Sequence, residues 1–343
     1  MGRRTVGRQA GATLGRFPGR LRRAVRRVRM KAFYSDRFVL PLPAGHRFPM
    51  DKYRRLRERI AAARPDIELV EPPAASDGVL ALAHTPDWVE RLSTGRLTAA
   101  EQRAIGFPWS AQLVERSRRS VGATVAACRA ALQDGAAVNL AGGTHHAYAD
   151  RGEGFCCFND VAVAARLMQA ERRARRVAIV DLDVHQGNGT AAILARDTSV
   201  FTLSMHGASN YPFRKEPGGD LDVALPDGIQ DDAYLEALDA ALASLGERFA
   251  TDLVVFLAGA DVYAGDRLGR LSLTREGIAE RDARVFSFAR RAGLPVAVAM
   301  GGGYCPRVDE IVDIHFATIS QAAGHAYGWH EQCAPGPRVA AVQ

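Results

Sequence analysis

Seven short runs, several of them apolar on both faces, dictate most of what this chain can become. They are KAFYS (31–35), IELVE (67–71), AVNLA (137–141), RVAIVDL (176–182), SVFTLS (199–204), DLVVFLAG (252–259) and PVAVAMG (295–301). A strand without a polar face has to be covered on both sides, which is the condition of a strand in a parallel sheet flanked by helices. Helical patterns fill the intervals at 50–63, 110–133, 159–171, 231–249, 274–292 and 307–323. In DDAYLEALDAALASLGERF (231–249) the apolar positions follow the helical period and acids open the first turn. The alternation predicts an α/β fold: a single-domain, doubly wound, mostly parallel sheet with helices on both faces.

The formal charge of +7 belongs to one end of the chain. Residues 1–29 hold ten arginines and no acid, so residues 30–343 carry −3. We read 1–29 as a basic, disordered extension or as a gene model begun upstream of a true start at Met30. An arm for nucleic acid or an anionic membrane is the competing reading. A transit peptide fits less well because the segment has no serine. The folded domain is expected over 30–330, without affinity for nucleic acid, and 331–343, with APGPR, as a flexible tail. No run of 18 apolar residues exists, so no membrane span is expected. Five scattered cysteines without a CxxC argue against a disulfide framework and predict a reducing, cytoplasmic setting.

In open α/β sheets ligands bind beyond the carboxyl ends of the strands, and the unusual polar residues of this chain fall there. DLDVHQGNGT (181–190) closes one strand run, and its residues 181, 183 and 185 share one side of an extended backbone. Asp183 and His185 can therefore share an ion, with Asp261 of FLAGADVYAGDRLG (256–269) as third ligand. Two carboxylates, one imidazole and an open position suit catalytic Zn²⁺, and Fe²⁺ or Mn²⁺ accept the same set. Read alone, Asp181 and Asp183 could equally cap the following helix.

His145 and His146 follow AVNLAGGT in the same manner. A histidine pair beside a metal can supply a base for water and an acid for a leaving amine. Each ring needs a partner on its other nitrogen, and Asp181 and Asn188 are the available ones. Asn188, being neutral, raises a histidine's basicity less than a carboxylate does. Tyr304 in MGGGYC (300–305) sits on a glycine loop after a strand, where a phenol can donate to a polarised carbonyl.

These residues carry a resemblance. Over residues 30–325 the chain resembles the histone deacetylase and acetylpolyamine amidohydrolase superfamily. It does so through GGTHHAYADRGEGFCCFND (142–160), IVDLDVHQGNGT (179–190), TLSMH (202–206), AGADVYAGDRLGRLSLT (258–274) and GGGY (301–304). The variant DLDVHQGN, with Gln186 and Asn188, is similar to the class IV branch. The resemblance implies an arginase/deacetylase-like fold, zinc on Asp183, His185 and Asp261, and His146 as main general base. It further implies His145 as partner held by Asp181, Asn188 as orienter of the base, and Tyr304 as the polarising phenol. Gly154 and Phe155 would line an acyl-lysine tunnel, with Tyr211 in NYPF (210–213) as its other wall. A structural K⁺ would rest on Asp181, the Ser204 hydroxyl and the carbonyls of Asp183, His185 and Met205. The implied activity is zinc-dependent removal of acetyl or longer acyl groups from N-acyl-lysine in proteins or peptides. The alternative is hydrolysis of small acylated amines such as acetylpolyamines. A silent acyl-lysine binder conflicts with the presence of every ligand, both histidines and the tyrosine.

Overall fold

A computed structural model of the chain describes residues 1–2, 29–43 and 45–333. Residues 3–28 and 334–343, which carry most of the expected basic extension and loose tail, lie outside the described residues.

In chain order the elements are β1 (Met30–Phe33), α1 (Asp51–Ala63), β2 (Ile67–Val70), α2 (Asp77–Leu80), α3 (Pro86–Thr94), α4 (Ala99–Ile105), α5 (Ala111–Asp134), β3 (Ala136–Asn139) and α6 (Asp160–Ala170). They continue with β4 (Val177–Asp181), α7 (Asn188–Leu194), β5 (Val200–Gly207), β6 (Leu221–Leu225), α8 (Asp231–Arg248), β7 (Leu253–Ala258), α9 (Arg275–Arg291), β8 (Val296–Met300) and α10 (Val308–Cys333). The strands form one eight-stranded sheet in the order β2-β1-β3-β8-β7-β4-β5-β6. Every pairing is parallel.

The period of two along each strand sends alternate side chains into two separate cores. Val138, Ala178, Val180, Val254, Phe256, Val296 and Val298 enter one core with Leu56 of α1, Leu238 of α8, Phe286 of α9 and Ile319 of α10. Ala137, Val177, Ile179, Val255, Leu257, Ala297 and Ala299 enter the other with Cys128 of α5, Val161 of α6 and Trp88 of α3. The doubly wound sheet expected from the sequence is the one observed.

Five elements escaped the sequence reading, and one runs longer than it indicated. β6 is an edge strand whose residues alternate between partly buried and exposed along LDVAL, so it lacks the apolar run of an interior strand. Helices α2, α3, α4 and α7 are too short for periodicity to register, and caps define most of their starts. Thr85 caps α3 ahead of Pro86, and Thr98 with Glu101 forms a capping box on α4. α10 continues past 323 to Cys333, across the boundary at which the tail was expected to begin.

Candidate functional site

Five adjacent strands deliver the polar residues. His145 and His146 follow β3, Gly301–Tyr304 follow β8, Asp261 follows β7, Asp183 and His185 follow β4, and Ser204 lies in β5. Residues remote in sequence thus meet along one rim of the sheet. Asp181 pairs in register with Leu257 on one side and Ser204 on the other.

Asp183, His185 and Asp261 form a buried triad whose ligating atoms all lie within 4.8 Å of one another. His185 Nδ1 is 2.9 Å from Asp183 Oδ1 and 3.3 Å from Asp261 Oδ2. Asp261 is 0 % exposed, and its Oδ2 makes no hydrogen bond. An orphaned carboxylate oxygen inside a protein is costly unless a cation meets it. The donor set therefore fits a divalent metal ion. The protonation equilibria agree. Burial alone would lower the His185 pKa, but the hydrogen bond to Asp183 and the charges of Asp183 and Asp261 outweigh it and lift it to about 10. Burial, reinforced by the Asp183 charge, pushes Asp261 up to about 7.

The glycines after β8 let this cluster form. The Gly302 amide donates to Asp183 Oδ2 at 2.6 Å. A Cβ at 302 would fall 1.7 Å from Asp261 Oδ2, so no other residue fits there. Behind the triad, the wholly buried Arg281 of α9 donates from Nη1 to the carbonyls of Leu182 (3.1 Å) and Gly259 (2.6 Å). One guanidinium thereby ties together the two turns that present Asp183 and Asp261.

The histidines are assigned by their partners. His145 Nδ1 is 2.6 Å from Asp181 Oδ2, and His146 Nδ1 is 2.6 Å from Asn188 Oδ1. The rings lie 4.2 Å apart, yet they titrate in opposite directions. Burial opposes protonation of His145, but the Asp181 and Asp183 charges prevail and raise it to about 9. Burial and the neighbouring His145 and His185 charges hold His146 well below the ordinary histidine value. At neutral pH one ring is a cation and its neighbour a free base.

These groups open on a cleft of about 530 Å³ whose lining includes Gly154, Phe155, Tyr211, Asp183, His185 and Tyr304. Gly154 adopts φ +57°, and a Cβ there would strike His146 Cδ2 at 2.6 Å. Phe155 takes φ +68°. That pair is held by the end of α4, where the carbonyls of Ala104 and Ile105 accept the Gly154 and Phe155 amides at 2.9 and 2.7 Å. Helix-terminal carbonyls without intrahelical partners thus fix one wall. Tyr211 also lines the cleft, its ring 5.0 Å from that of His146. Its loop is pinned by Gln186, which donates to the Glu216 carbonyl at 2.8 Å and accepts the Glu216 amide at 2.8 Å.

Tyr304 stands edge-on to His185 with ring centroids 6.3 Å apart. Burial and the Asp183 and Asp261 charges raise its pKa well above the ordinary value, so it is a neutral donor. Asp266 places it, accepting the amides of Tyr304 (2.6 Å), Leu268 (2.8 Å) and Gly269 (2.9 Å). Asp266 escaped the sequence reading, although it lies inside AGDRLG. Glu153 and Arg281 escaped it too. Their importance depends on what stands across from them in space, which spacing does not reveal.

Asp181 and Ser204 also border a small internal space of about 10 Å³. The Ser204 hydroxyl lies 3.0 Å from His206 Nδ1. The Met205 side chain is in the apolar core, leaving only its main-chain carbonyl for a cation.

Comparison with known proteins places this geometry in context. The histone deacetylase domain model matches residues 46–319. An uncharacterised protein of Picosynechococcus sp. is 43% identical over 297 residues, covering 86% of this chain and 98% of that protein. Histone deacetylase 2 of Arabidopsis thaliana is 36% identical over 244 residues, 69% of this chain and 63% of that protein. A histone deacetylase-like amidohydrolase of Pseudomonas aeruginosa is 33% identical over 282 residues, 77% of this chain and 74% of its own. Among solved structures, a histone deacetylase homologue from Aquifex aeolicus matches with a TM-score of 0.76 at 23% identity, covering 89% of each chain. That last likeness is one of fold.

Proposed function

Because the chain belongs to the histone deacetylase family and is an amidohydrolase, we propose that it removes acetyl or longer acyl groups from N-acyl-lysine in proteins or peptides. The observation that carries this reading is the orphaned Asp261 oxygen in a triad whose Asp183 and His185 open on the same cleft as His145, His146 and Tyr304. Zn²⁺ is the ion we assign to Asp183, His185 and Asp261, with Fe²⁺ as the alternative. When bound it supplies a Lewis acid that polarises the acyl carbonyl and acidifies water.

The chain's own residues supply the remainder. His146, the free base of the pair, takes a proton from the attacking water. The Tyr304 phenol donates a hydrogen bond to the carbonyl oxygen as negative charge develops on it. An imidazolium of the pair gives the proton to the departing amine nitrogen, with Asp181 and Asn188 holding the two rings in place. Gly154, Phe155 and Tyr211 enclose the acyl-lysine stem and exclude water. A K⁺ ion on Asp181, the Ser204 hydroxyl and the carbonyls of Asp183, His185 and Met205 would brace the strand ends from below. Gln186 and Asn188 favour a class IV assignment. The four buried free thiols, Cys128, Cys156, Cys157 and Cys305, suit a cytoplasmic setting.

The cleft's charge distribution favours lysine peptides over acetylpolyamines. Arg47, Arg103 and the Asp227-paired Arg270 line it and are exposed, and among the described residues Glu153 is the one lining carboxylate outside the triad. A polycationic amine meets repulsion there. The test is hydrolysis of acyl-lysine peptides, from acetyl to myristoyl, and of acetylspermidine by Zn²⁺-loaded and chelated protein. Metal-dependent turnover of the peptides is expected. Turnover of acetylspermidine alone would move the assignment to small amines, and no turnover with zinc bound would overturn the activity.

A further inference from the structure

The mechanism above leaves one carboxylate of the cleft without a task. Glu153 precedes Gly154, and its side chain retains 19% exposure. Its Oε1 accepts a 2.7 Å hydrogen bond from Asn188 Nδ2. The Tyr148 hydroxyl meets the same amide nitrogen at 3.2 Å. Asn188 Oδ1 faces His146 Nδ1 at 2.6 Å, and Asn188 is 1% exposed. The three side chains therefore form a continuous chain, from His146 through Asn188 to Glu153.

The chemistry of the chain runs in one direction only. An ionised carboxylate accepts and never donates, so Glu153 admits the NH₂ end of the Asn188 amide and rejects its oxygen. That choice turns Oδ1 toward His146. An oxygen acceptor requires a proton on Nδ1, and the neutral ring then keeps its lone pair on Nε2. Rotating the Asn188 amide by half a turn would present NH₂ to Nδ1 and drive the proton to Nε2, which removes the base. The Tyr148 hydroxyl donates to Glu216 Oε2 at 3.5 Å and accepts from the same NH₂ at 3.2 Å, a longer contact than the 2.7 Å bond to Glu153. Glu153 is the nearer of the two acceptors.

We propose that Glu153 is a positioning residue: through Asn188 it fixes the tautomer of His146 and keeps Nε2 available as a base. The inference rests on the assignment of His146 as the general base. It also gives the neutral Asn188 an anion at one remove, where a carboxylate partner would have placed the charge directly against the imidazole.

The experiment combines kinetics with NMR of the Zn²⁺-loaded full chain carrying ¹⁵N-histidine. In the parent chain His146 is expected to show a protonated Nδ1 and an unprotonated Nε2. Glu153→Ala is expected to lower kcat by about 10–100-fold, the scale for a residue that orients a catalytic group, with KM unchanged and the His146 signals moved toward the other tautomer. Glu153→Gln, whose amide oxygen can still accept from Asn188, should recover part of that loss. Asn188→Asp alone sets two carboxylates face to face and should be severely impaired. Combining it with Glu153→Gln should restore activity above that of Asn188→Asp, a rescue that a merely structural role would not give. Unchanged kcat together with an unchanged tautomer in Glu153→Ala would overturn the proposal. So would a rise in KM alone, which would mark Glu153 as a substrate contact. If no substrate turns over in any variant but the tautomer follows Glu153, the positioning role stands and the deacylase assignment falls.

Discussion

Two clusters of buried charge lie close together in this molecule, and they are built on opposite plans. On α9, against the sheet, lie Arg281 and Asp282, both 0% exposed. Arg281 Nε donates to Asp282 Oδ1 at 2.9 Å, Nη2 is 2.7 Å from the same oxygen, and Asp282 Oδ2 accepts from Thr318 at 2.6 Å. At the strand ends Asp181, Asp183 and Asp261 crowd around two histidines, and Asp261 Oδ2 makes no hydrogen bond. In the first cluster each charge meets its opposite within the chain, while the second gathers carboxylates into a triad that fits a cation from outside. A buried charge with a partner contributes to the fold, and one without a partner is a cost borne for binding.

The largest expected effect separates the two plans directly. Asp261→Asn should lower turnover by about 10³-fold or more, since metal polarisation is worth several kcal/mol. The same change should raise the melting temperature of the metal-free chain, because it removes a carboxyl that burial and Asp183 already push up to about 7. A lower melting temperature would show that the strand-end cluster is structural after all. Next, Arg281→Met leaves Asp282 buried and unpaired and should cost about 3–5 kcal/mol of stability, read by denaturant unfolding. Tyr304→Phe should lower kcat by about 10²–10³-fold with unchanged stability, the scale of one oxyanion donor. Wild-type turnover in that variant would remove Tyr304 from the mechanism.

The smallest effect is a pH dependence from a closed group. His84 is buried, with Nδ1 2.9 Å from the Tyr148 carbonyl and Nε2 accepting the Asn159 amide at 2.9 Å. Burial lowers its pKa to about 4 from the ordinary 6.5. The unfolded chain therefore binds the proton first as pH falls, and stability should decline between about 6.5 and about 4, by about 1–3 kcal/mol. His84→Gln should flatten that part of the profile, as measured by urea unfolding across pH.

The sheet was legible in the sequence because strands such as VAIVD and VAVAM are buried on both faces, and only Asp181 at the end of the first is polar. The location of the site was legible because the charged residues interrupt those runs at their carboxyl ends. Which histidine takes which partner was legible only through the family resemblance, since two rings and two partners pair either way by spacing alone. The short helices α3 and α4 were hidden because a capping threonine, not periodicity, defines each of them. Glu153, Asp266 and Arg281 were hidden for a different reason. Each acts on a backbone amide, a carbonyl or an amide side chain that only the tertiary fold brings within reach.

The placement of β4 beside β7 has a kinetic consequence. The turns bearing Asp183 and Asp261 touch directly, Val184 N donating to Asp261 Oδ1 at 3.0 Å across 77 residues of chain. Closing so long a loop is slow and comes after local structure has formed. A chain still being synthesised, with β4 complete and β7 not yet made, holds two of the three ligands and no site. A cation that needs all three ligands is then expected to bind once β4 and β7 have paired, and so to slow unfolding more than it speeds refolding.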